Sequence, residues 1–529
     1  MTGSSDPGLS VWGWGEAARF ADRDTRIALG QVASALLGFA PTGVSDPAPP
    51  DAWVLPRPGI AAPGIAGVEA GTADRDRARH TWGRSYPDIV SGFVGDFSPA
   101  PDLVLRPADA AAVARVLDWA SSARVAVIPF GGGSSVVGGV TPDRRGHAGA
   151  VSLDLCRLSG VWAVDEVSRL AHVGAGTFGP ALTESLGQHG LTFRHYPQSF
   201  AHSTVGGWVA TRAGGHYATG RTHIDDLVAA VGVETPRGRV ETPLRPASGA
   251  GPEPLRMWLG SEGTLGVVTD AWLRVEPAPA FRGRATVRFA SWEAAVAATR
   301  AIAQSSLWPS NCRLLDAGEA ALHRVAGDGS HVLIVGFESA VAPVDAALTA
   351  ACELAAAQGG RVRVAASHGE GDEGSSWKAA FVDAPYLQTL LVSLGVLVDT
   401  FETCCTWSAF AALHAAVVDD LTDAMQRVCG AGRVTCRFTH VYADGPAPYY
   451  TFVAPTRFGS EVAMWRELKA AASEALQRHG GTITHHHAVG RMHRPWYDRE
   501  RPALFAELLG ASRRSLDPAG ILNPGVLTG

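Results

Sequence analysis

The sequence predicts an α+β protein with two large units. The first is an α/β domain built around glycine-rich loops. The second is an α/β cap on an antiparallel sheet. Three observations carry this reading. Between about residues 100 and 276, apolar strands run directly into Gly/Ser/Thr turns. Beyond a proline–glycine break at Arg274–Gly283, two strand–helix units follow one another. The chain has 529 residues, 46% of them hydrophobic and 18% charged, enough to bury more than one core.

The elements follow in order. Residues 1–50 open with "VWGWG" and a polar helix candidate, and residues 41–75, rich in Pro, Gly and Ala, read as a linker. "DLVLRP" from Asp102 is a short strand, and "ADAAAVARVLDWASSA" has helical spacing with an Asp near its start. "RVAVIPF" is a buried strand entering "GGGSS". Further strands are expected at "AVSLDL", "RLAHVGAG" and "AAVGVETPRGRV", the last with a Pro-Arg-Gly hairpin turn. In the second unit, "RATVRFASWEAAVAATRAIAQ" reads as strand then helix. The stretch from His331 to Val364 reads as strand, helix, strand. Together these suggest an antiparallel sheet with helices on one face. The run Leu387–Val398 has the spacing of a buried helix. The expected organisation is a 1–85 N-terminal helical segment and linker, an 86–276 glycine-loop domain, a 277–500 cap, and a 501–529 segment that returns to the first domain.

Composition narrows the function. A net charge of −6 without a long basic run argues against nucleic acid. Seven scattered cysteines, with no CxxC, fit a reducing, cytoplasmic setting. The N-terminus shows no signal peptide, and the longest apolar run falls far short of the roughly 20 residues that span a bilayer. This leaves a peripheral membrane contact open. Lysine occurs only at Lys378 and Lys469, which reads as compositional bias.

The strongest motif is "PFGGGSSVVGG", Pro129–Gly139. Successive glycines allow several backbone N–H groups to converge on one anion, with no Cβ in the way. Ser134 and Ser135 offer further donors. This is a pyrophosphate cradle, but neither a Walker loop nor GxGxxG. As a lone motif it reads equally well as a glycine-rich turn. "QSFAHSTVGGWVATRAGG" (Gln198–Gly215) and "GSEGTLGVVTDAWLRV" (Gly260–Val275) add two more small-residue loops. Three such loops suit an extended dinucleotide, and the single-loop NAD pattern is missing.

These segments resemble the FAD-binding segments of the vanillyl-alcohol oxidase, or PCMH-type, superfamily. Within it, "WGWG", "HTWGRSYPDIV", "FETCCTW", "HHHAVG" and "DPAGILNPG" look like landmarks of the alkylglycerone-phosphate synthase family of ether-lipid synthesis. The resemblance covers nearly the whole chain. It implies a PCMH-type FAD domain of two α/β subdomains, a cap over the flavin and noncovalent FAD. The FAD contacts it implies are Pro129, Phe130, Gly131, Gly132, Gly133, Ser134 and Ser135 in the first loop. In the second they are Gln198, Ser199, His202, Ser203, Thr204, Gly206, Gly207, Thr211, Arg212, Ala213 and Gly214. In the third they are Gly260, Ser261, Glu262, Gly263, Thr264, Leu265 and Gly266. It further implies a transferase that exchanges the acyl group of an acyl-dihydroxyacetone phosphate-like substrate for a long-chain alcohol through a flavin N5 adduct. A homodimer and a lipid-like substrate belong to the same expectation.

The run His485–His486–His487 admits three readings. In a strand, His485 and His487 face one way and His486 the other. Such a pair can chelate zinc only with a third ligand, for which His440 or His493 are candidates. Buried structural histidines are the second reading. A polar catalytic cluster tuned close to neutral pH is the third, and the resemblance supports it, so no metal is expected. Tyr449 falls where the family carries its acid/base tyrosine, although Tyr450 next door leaves the register open. A phenol acting as base at neutral pH needs cationic or hydrogen-bonding neighbours. Arg313 matches an activity-sensitive arginine and is read as substrate-binding, for an anionic group, with a structural ion pair as the equal alternative. Gln388, read as substrate-binding, stands where the family has a phosphate-gripping arginine, and a neutral amide cannot form that charged, bidentate pair. Either another arginine, such as Arg313 or Arg491, substitutes, or the substrate is not a dihydroxyacetone phosphate ester. The alternative function is therefore an FAD-dependent oxidase or dehydrogenase of a 2-hydroxy acid or other alcohol.

Overall fold

Strand, glycine loop and helix alternate through the first half of the chain, and the sheets they form set the loops side by side. The computed structural model describes residues 8–364 and 385–528. The first sheet holds β1 (Val68–Gly71), β2 (Leu103–Pro107), β3 (Val125–Phe130) and β4 (Gly149–Asp154), in the order β1-β2-β4-β3. β2, β4 and β3 run parallel. Their near-continuous apolar runs are what a sheet covered on both faces requires. The covering helix Ala110–Ala123 is capped by Asp109, whose carboxylate accepts from Ala112 N at 2.7 Å. β1 lies inside the stretch read as linker. It pairs antiparallel with β2, so the first sheet begins well before residue 86. The C-terminal stretch also joins this sheet: Val127 N donates to Ile521 O and Asn523 N to Val127 O.

The second sheet is antiparallel, in the order β5-β6-β10-β8-β9. Its strands are β5 (Val161–Asp165), β6 (Leu170–Gly174), β8 (Val228–Thr235), β9 (Gly238–Glu241) and β10 (Val267–Arg274). The two-residue strands β7 (Leu191–Thr192) and β11 (Glu276–Pro277) pair separately. β8 and β9 form the expected hairpin.

Among the described residues the cap sheet has seven strands in the order β15-β12-β14-β13-β17-β18-β16, all antiparallel. These are β12 (Phe281–Phe289), β13 (Asn311–Leu315), β14 (His331–Ser339), β15 (Arg361–Val364), β16 (Val396–Glu402), β17 (Arg433–Val441) and β18 (Pro446–Pro455). Alternation along the strands sorts their side chains. Val287, Leu314, Phe438, Tyr450 and Phe452 enter one apolar core with helices Trp292–Ala303, Asp345–Ala356, Trp407–Cys429 and Glu461–Arg478. The opposite face carries Arg313, Arg437, Tyr449 and Thr451.

The apolar run Leu387–Val398 is not a single helix. Residues 385–393 are helical, Gly395 turns with φ +65°, and Val396 starts β16. Glycine tolerates that left-handed turn, and the β-branched Val396 and Val398 favour a strand. Among the described residues no helix is long and apolar enough to cross a membrane.

Candidate active site

The three glycine-rich loops and the polar face of the cap sheet line one cavity. Residues 129–135 of the first loop leave the end of β3. A Cβ on Gly132 would lie 1.8 Å from the carbonyl oxygen of His202, and one on Gly131 would lie 2.3 Å from Thr204 Oγ1. The neighbouring loop therefore demands these glycines, a reason the sequence did not offer. Gly133 has φ +70°. Among the described residues, the backbone N–H groups of Gly131–Ser135 have no protein acceptor. Five such donors on a cavity wall fit an anionic diphosphate. Ser135 Oγ accepts from Gly139 N at 2.9 Å, so it closes its own loop.

Most of the other expected FAD contacts line the same cavity: Gln198, Ser199, Ser203, Thr204, Gly206, Gly207, Thr211, Ala213, Gly214, Glu262, Gly263 and Gly266. Six expected contacts do not line it. His202 turns its ring to the Tyr386 hydroxyl at 3.2 Å. Arg212 pairs with Asp225 at 2.8 Å, and its side chain packs over Gly260. Thr264 Oγ1 donates to Ser261 O at 2.7 Å inside the turn, and Leu265 enters the core. Glu262 does reach the cavity wall, but its carboxylate accepts from Val489 N (2.9 Å) and Gly490 N (2.7 Å). It thus ties the third loop to the segment after the histidines.

The histidines do not form a strand. His485–His487 lie in a run of bends. The cause is Glu402, which is 1% exposed and accepts from the backbone N–H groups of His485, His486 (3.1 Å) and His487 (2.7 Å), and from Thr484 Oγ1 (2.8 Å). Three successive N–H groups turned to one carboxylate form an anion nest, which a pleated strand cannot provide. The rings then diverge. His486 and His487 line the cavity. His485 turns away, its Nε2 2.8 Å from the Tyr442 hydroxyl and its Nδ1 3.0 Å from His486 Nδ1.

Tyr449 sits directly opposite Glu402 in the β16–β18 ladder and faces the cavity. Its hydroxyl donates to Thr400 Oγ1 at 2.9 Å. Its ring stacks on His486 (centroids 5.9 Å) and meets the edge of His487 (5.4 Å). The guanidinium of Arg437, paired with Glu319, lies 3.9 Å from the ring centroid. Tyr450 points the other way, into the helix-side core, and bonds His414. Arg313 lines the cavity beside His216, 3.4 Å from its Nδ1 and from its carbonyl oxygen. Gln388 lines it too. Its amide accepts from Trp14 Nε1 and donates to Val398 O, both at 3.3 Å.

Burial dominates the electrostatics. It pushes the pKa of His440, His485 and His486 well below the ordinary imidazole value, and mutual repulsion adds to the effect. His487 is lowered too, with Glu402 opposing. The expectation of imidazoles tuned near neutral pH gives way: at pH 7 they are neutral. Burial also raises the Tyr449 phenol, against the pull of Arg437 and the Thr400 bond, so the neighbours do not produce a ready phenolate. Burial would raise Glu402 as well, but His487, His485 and the backbone donor at His485 outweigh it and hold the carboxyl at about 2.

Sequence reasoning missed Glu402, Thr400, Arg437, His223 and Lys469. Glu402 sat in the noted "FET" landmark without a role. Arg437 and Thr400 needed the cross-strand register. His223, whose Nε2 bonds His485 O at 3.0 Å, carried no signal. Among the described residues two donor sets approach metal-binding spacing, His440–His485–His486 and Glu402–His486–His487. His440 already uses both nitrogens, on Thr439 Oγ1 and Gly215 O, and His485 both of its own. His493 belongs to neither set and bonds Ala488 O. In the first set His440 and His485 are thus already satisfied, which disfavours an ion there, and in the second the Glu402 carboxylate is taken up by the backbone N–H groups of His485–His487.

Comparisons agree with this geometry. A family model described as FAD binding domain matches residues 101–242, and one described as FAD linked oxidases, C-terminal domain, matches 278–527. Alkyldihydroxyacetonephosphate synthase of Trypanosoma brucei brucei is 28% identical over 480 residues, spanning 85% of this chain and 77% of the relative. That of Dictyostelium discoideum is 28% identical over 475 residues, spanning 85% and 76%. Glycolate oxidase subunit GlcD of Bacillus subtilis (strain 168) is 24% identical over 438 residues, spanning 81% and 89%. A solved structure of alkyldihydroxyacetonephosphate synthase superposes with a TM-score of 0.81 at 23% identity, covering 98% of both chains. That of p-cresol methylhydroxylase gives 0.66 at 13% identity, covering 86% and 93%.

Proposed function

We propose that this chain, a member of the FAD-linked oxidase family akin to alkyldihydroxyacetonephosphate synthase along most of its length, exchanges the acyl group of an acyl-dihydroxyacetone phosphate-like substrate for a long-chain alcohol. FAD is its cofactor. In this reading residues 86–276, completed by 501–529, hold FAD, and residues 277–500 receive the substrate. One observation carries it: Tyr449, His486 and His487 share a cavity with the N–H groups of Gly131–Ser135, which have no acceptor among the described residues.

When bound, FAD supplies a ring that accepts an electron pair from carbon or as hydride. The chain's own residues position and move the proton. The first loop holds the diphosphate through its backbone donors. Tyr449 takes a proton from the substrate carbon. Its own phenol is protonated at neutral pH, so that proton must first leave. The neutral imidazoles of His486 and His487, packed on the Tyr449 ring, are the acceptors at hand. Glu402 fixes the backbone of both histidines and favours the cation that forms. The fatty-acid carboxylate leaves, and the alcohol takes its place.

A second reading has a specific observation behind it. Gln388 is neutral and its amide is already bonded to Trp14 and Val398. That favours oxidation of a 2-hydroxy acid, in which the same cluster takes a hydroxyl proton. Two assays separate the readings. In the first, labelled fatty acid exchanges into acyl-dihydroxyacetone phosphate with the flavin absorption intact. In the second, a 2-hydroxy acid is mixed anaerobically. Exchange is expected. Bleaching by the hydroxy acid, with no exchange, overturns the transferase.

A further inference from the structure

We propose that Lys469 holds an anionic oxygen of the substrate, in a phosphate or a carboxylate, beside Tyr449. The inference rests on the reading of this cavity as the flavin and substrate site.

Among the described residues, the lysine and arginine side chains lining the cavity are Arg313, Arg437 and Lys469. Arg437 is committed to Glu319 and to the face of Tyr449. Arg313 is packed in the sheet against His216. Lys469 differs. It stands on the helix Glu461–Arg478 and reaches over the edge strand β16, and it is 7% exposed. An ammonium has three donors. One goes to Thr400 O at 2.8 Å. Among the described residues the nearest carboxylate oxygen, Asp399 Oδ2, is 4.0 Å away and already accepts from Trp465 Nε1 at 2.5 Å. The charge is thus buried on a cavity wall, balanced by Asp399 and by the Glu402 carboxylate, and it keeps donor capacity for an anionic oxygen. The carbonyl that Lys469 grips belongs to Thr400, whose hydroxyl accepts from Tyr449. An oxygen held there is placed next to the phenol. Gln388, without charge, leaves this task open. Lys469 is also one of two lysines among the 45 lysines and arginines of the chain, and compositional bias does not explain a buried one.

The test uses the full-length, FAD-loaded protein. Inorganic phosphate and decanoate are titrated separately while the flavin spectrum is followed. Lys469→Met should retain FAD and its melting temperature. It should weaken at least one of the two ligands about tenfold or more. The ligand that weakens tells phosphate from carboxylate. Lys469→Gln keeps a donor for Thr400 O and serves if the Met variant unfolds. Unchanged dissociation constants for both ligands, with FAD still bound, overturn the inference. A wild-type chain that binds no FAD overturns the functional reading instead, so the two failures are distinct.

Discussion

Two buried glutamates hold the segment His485–Gly490, one from each side, and they are in opposite states. Glu402, from the cap sheet, collects three backbone N–H groups and a threonine hydroxyl next to imidazoles, and its carboxyl is held at about 2. Glu262, from the third glycine-rich loop, collects two N–H groups, and burial lifts its carboxyl to about 7. Both are buried. The number of donors, and imidazoles beside Glu402 that can take up a proton in its place, decide which one bears a permanent negative charge. The histidine end of the segment is therefore pinned by an ion, and the glycine end by a group poised near neutrality.

The harshest way to break this asymmetry is Glu402→Ala. It strands three consecutive N–H groups, and each buried unsatisfied donor costs about 1–3 kcal/mol. We expect a loss of about 3 kcal/mol or more in urea unfolding. If that variant melts like wild type, the bend is not held by this carboxylate. The wild-type contribution has a defined pH window. The folded pKa lies below the unfolded 4.5, so the contribution is whole above that pH and fades as pH falls toward 2.

Tyr449→Phe tests what the pinned end is for. It removes one hydroxyl opposite Glu402 and leaves the bend in place. FAD content and melting should stay as in wild type, while turnover falls about 10²–10⁴-fold. Full turnover in this variant would make Tyr449 a wall of the cavity and nothing more.

The glycine-loop side was more legible in the sequence than the cap side for a physical reason. A strand that runs into three glycines is a local pattern, and β3 with its loop formed where that pattern lies. The cap face depends on partners far along the chain. Tyr449 and Tyr450 alternate in any strand, but only the placement of β16 and β17 on either side of β18 tells which one faces the cavity. The histidines carried a period-two expectation that Glu402, 83 residues away for His485, overrode. Lys469 could not be read at all, because a helical lysine looks the same whether it is solvated or folded over a sheet edge.

The mildest change, Glu262→Gln, sharpens the comparison without breaking it. A carboxyl with a folded pKa of about 7 against an unfolded 4.5 binds its proton more tightly in the native state. Its contribution is therefore whole below pH 4.5 and declines as pH rises toward 7. The buried neutral imidazoles act in the opposite sense: their folded pKa values are depressed, so they lose stability as pH falls below the ordinary histidine value. Neither wild-type curve nor variant curve isolates Glu262, but their difference does. Melting temperatures measured from pH 5 to pH 8 should fall behind the Gln variant by an amount that grows toward the alkaline end, worth about 1–3 kcal/mol. A difference that stays flat across that range would mean that Val489 and Gly490 keep Glu262 ionised throughout, and the two anchors would then be alike.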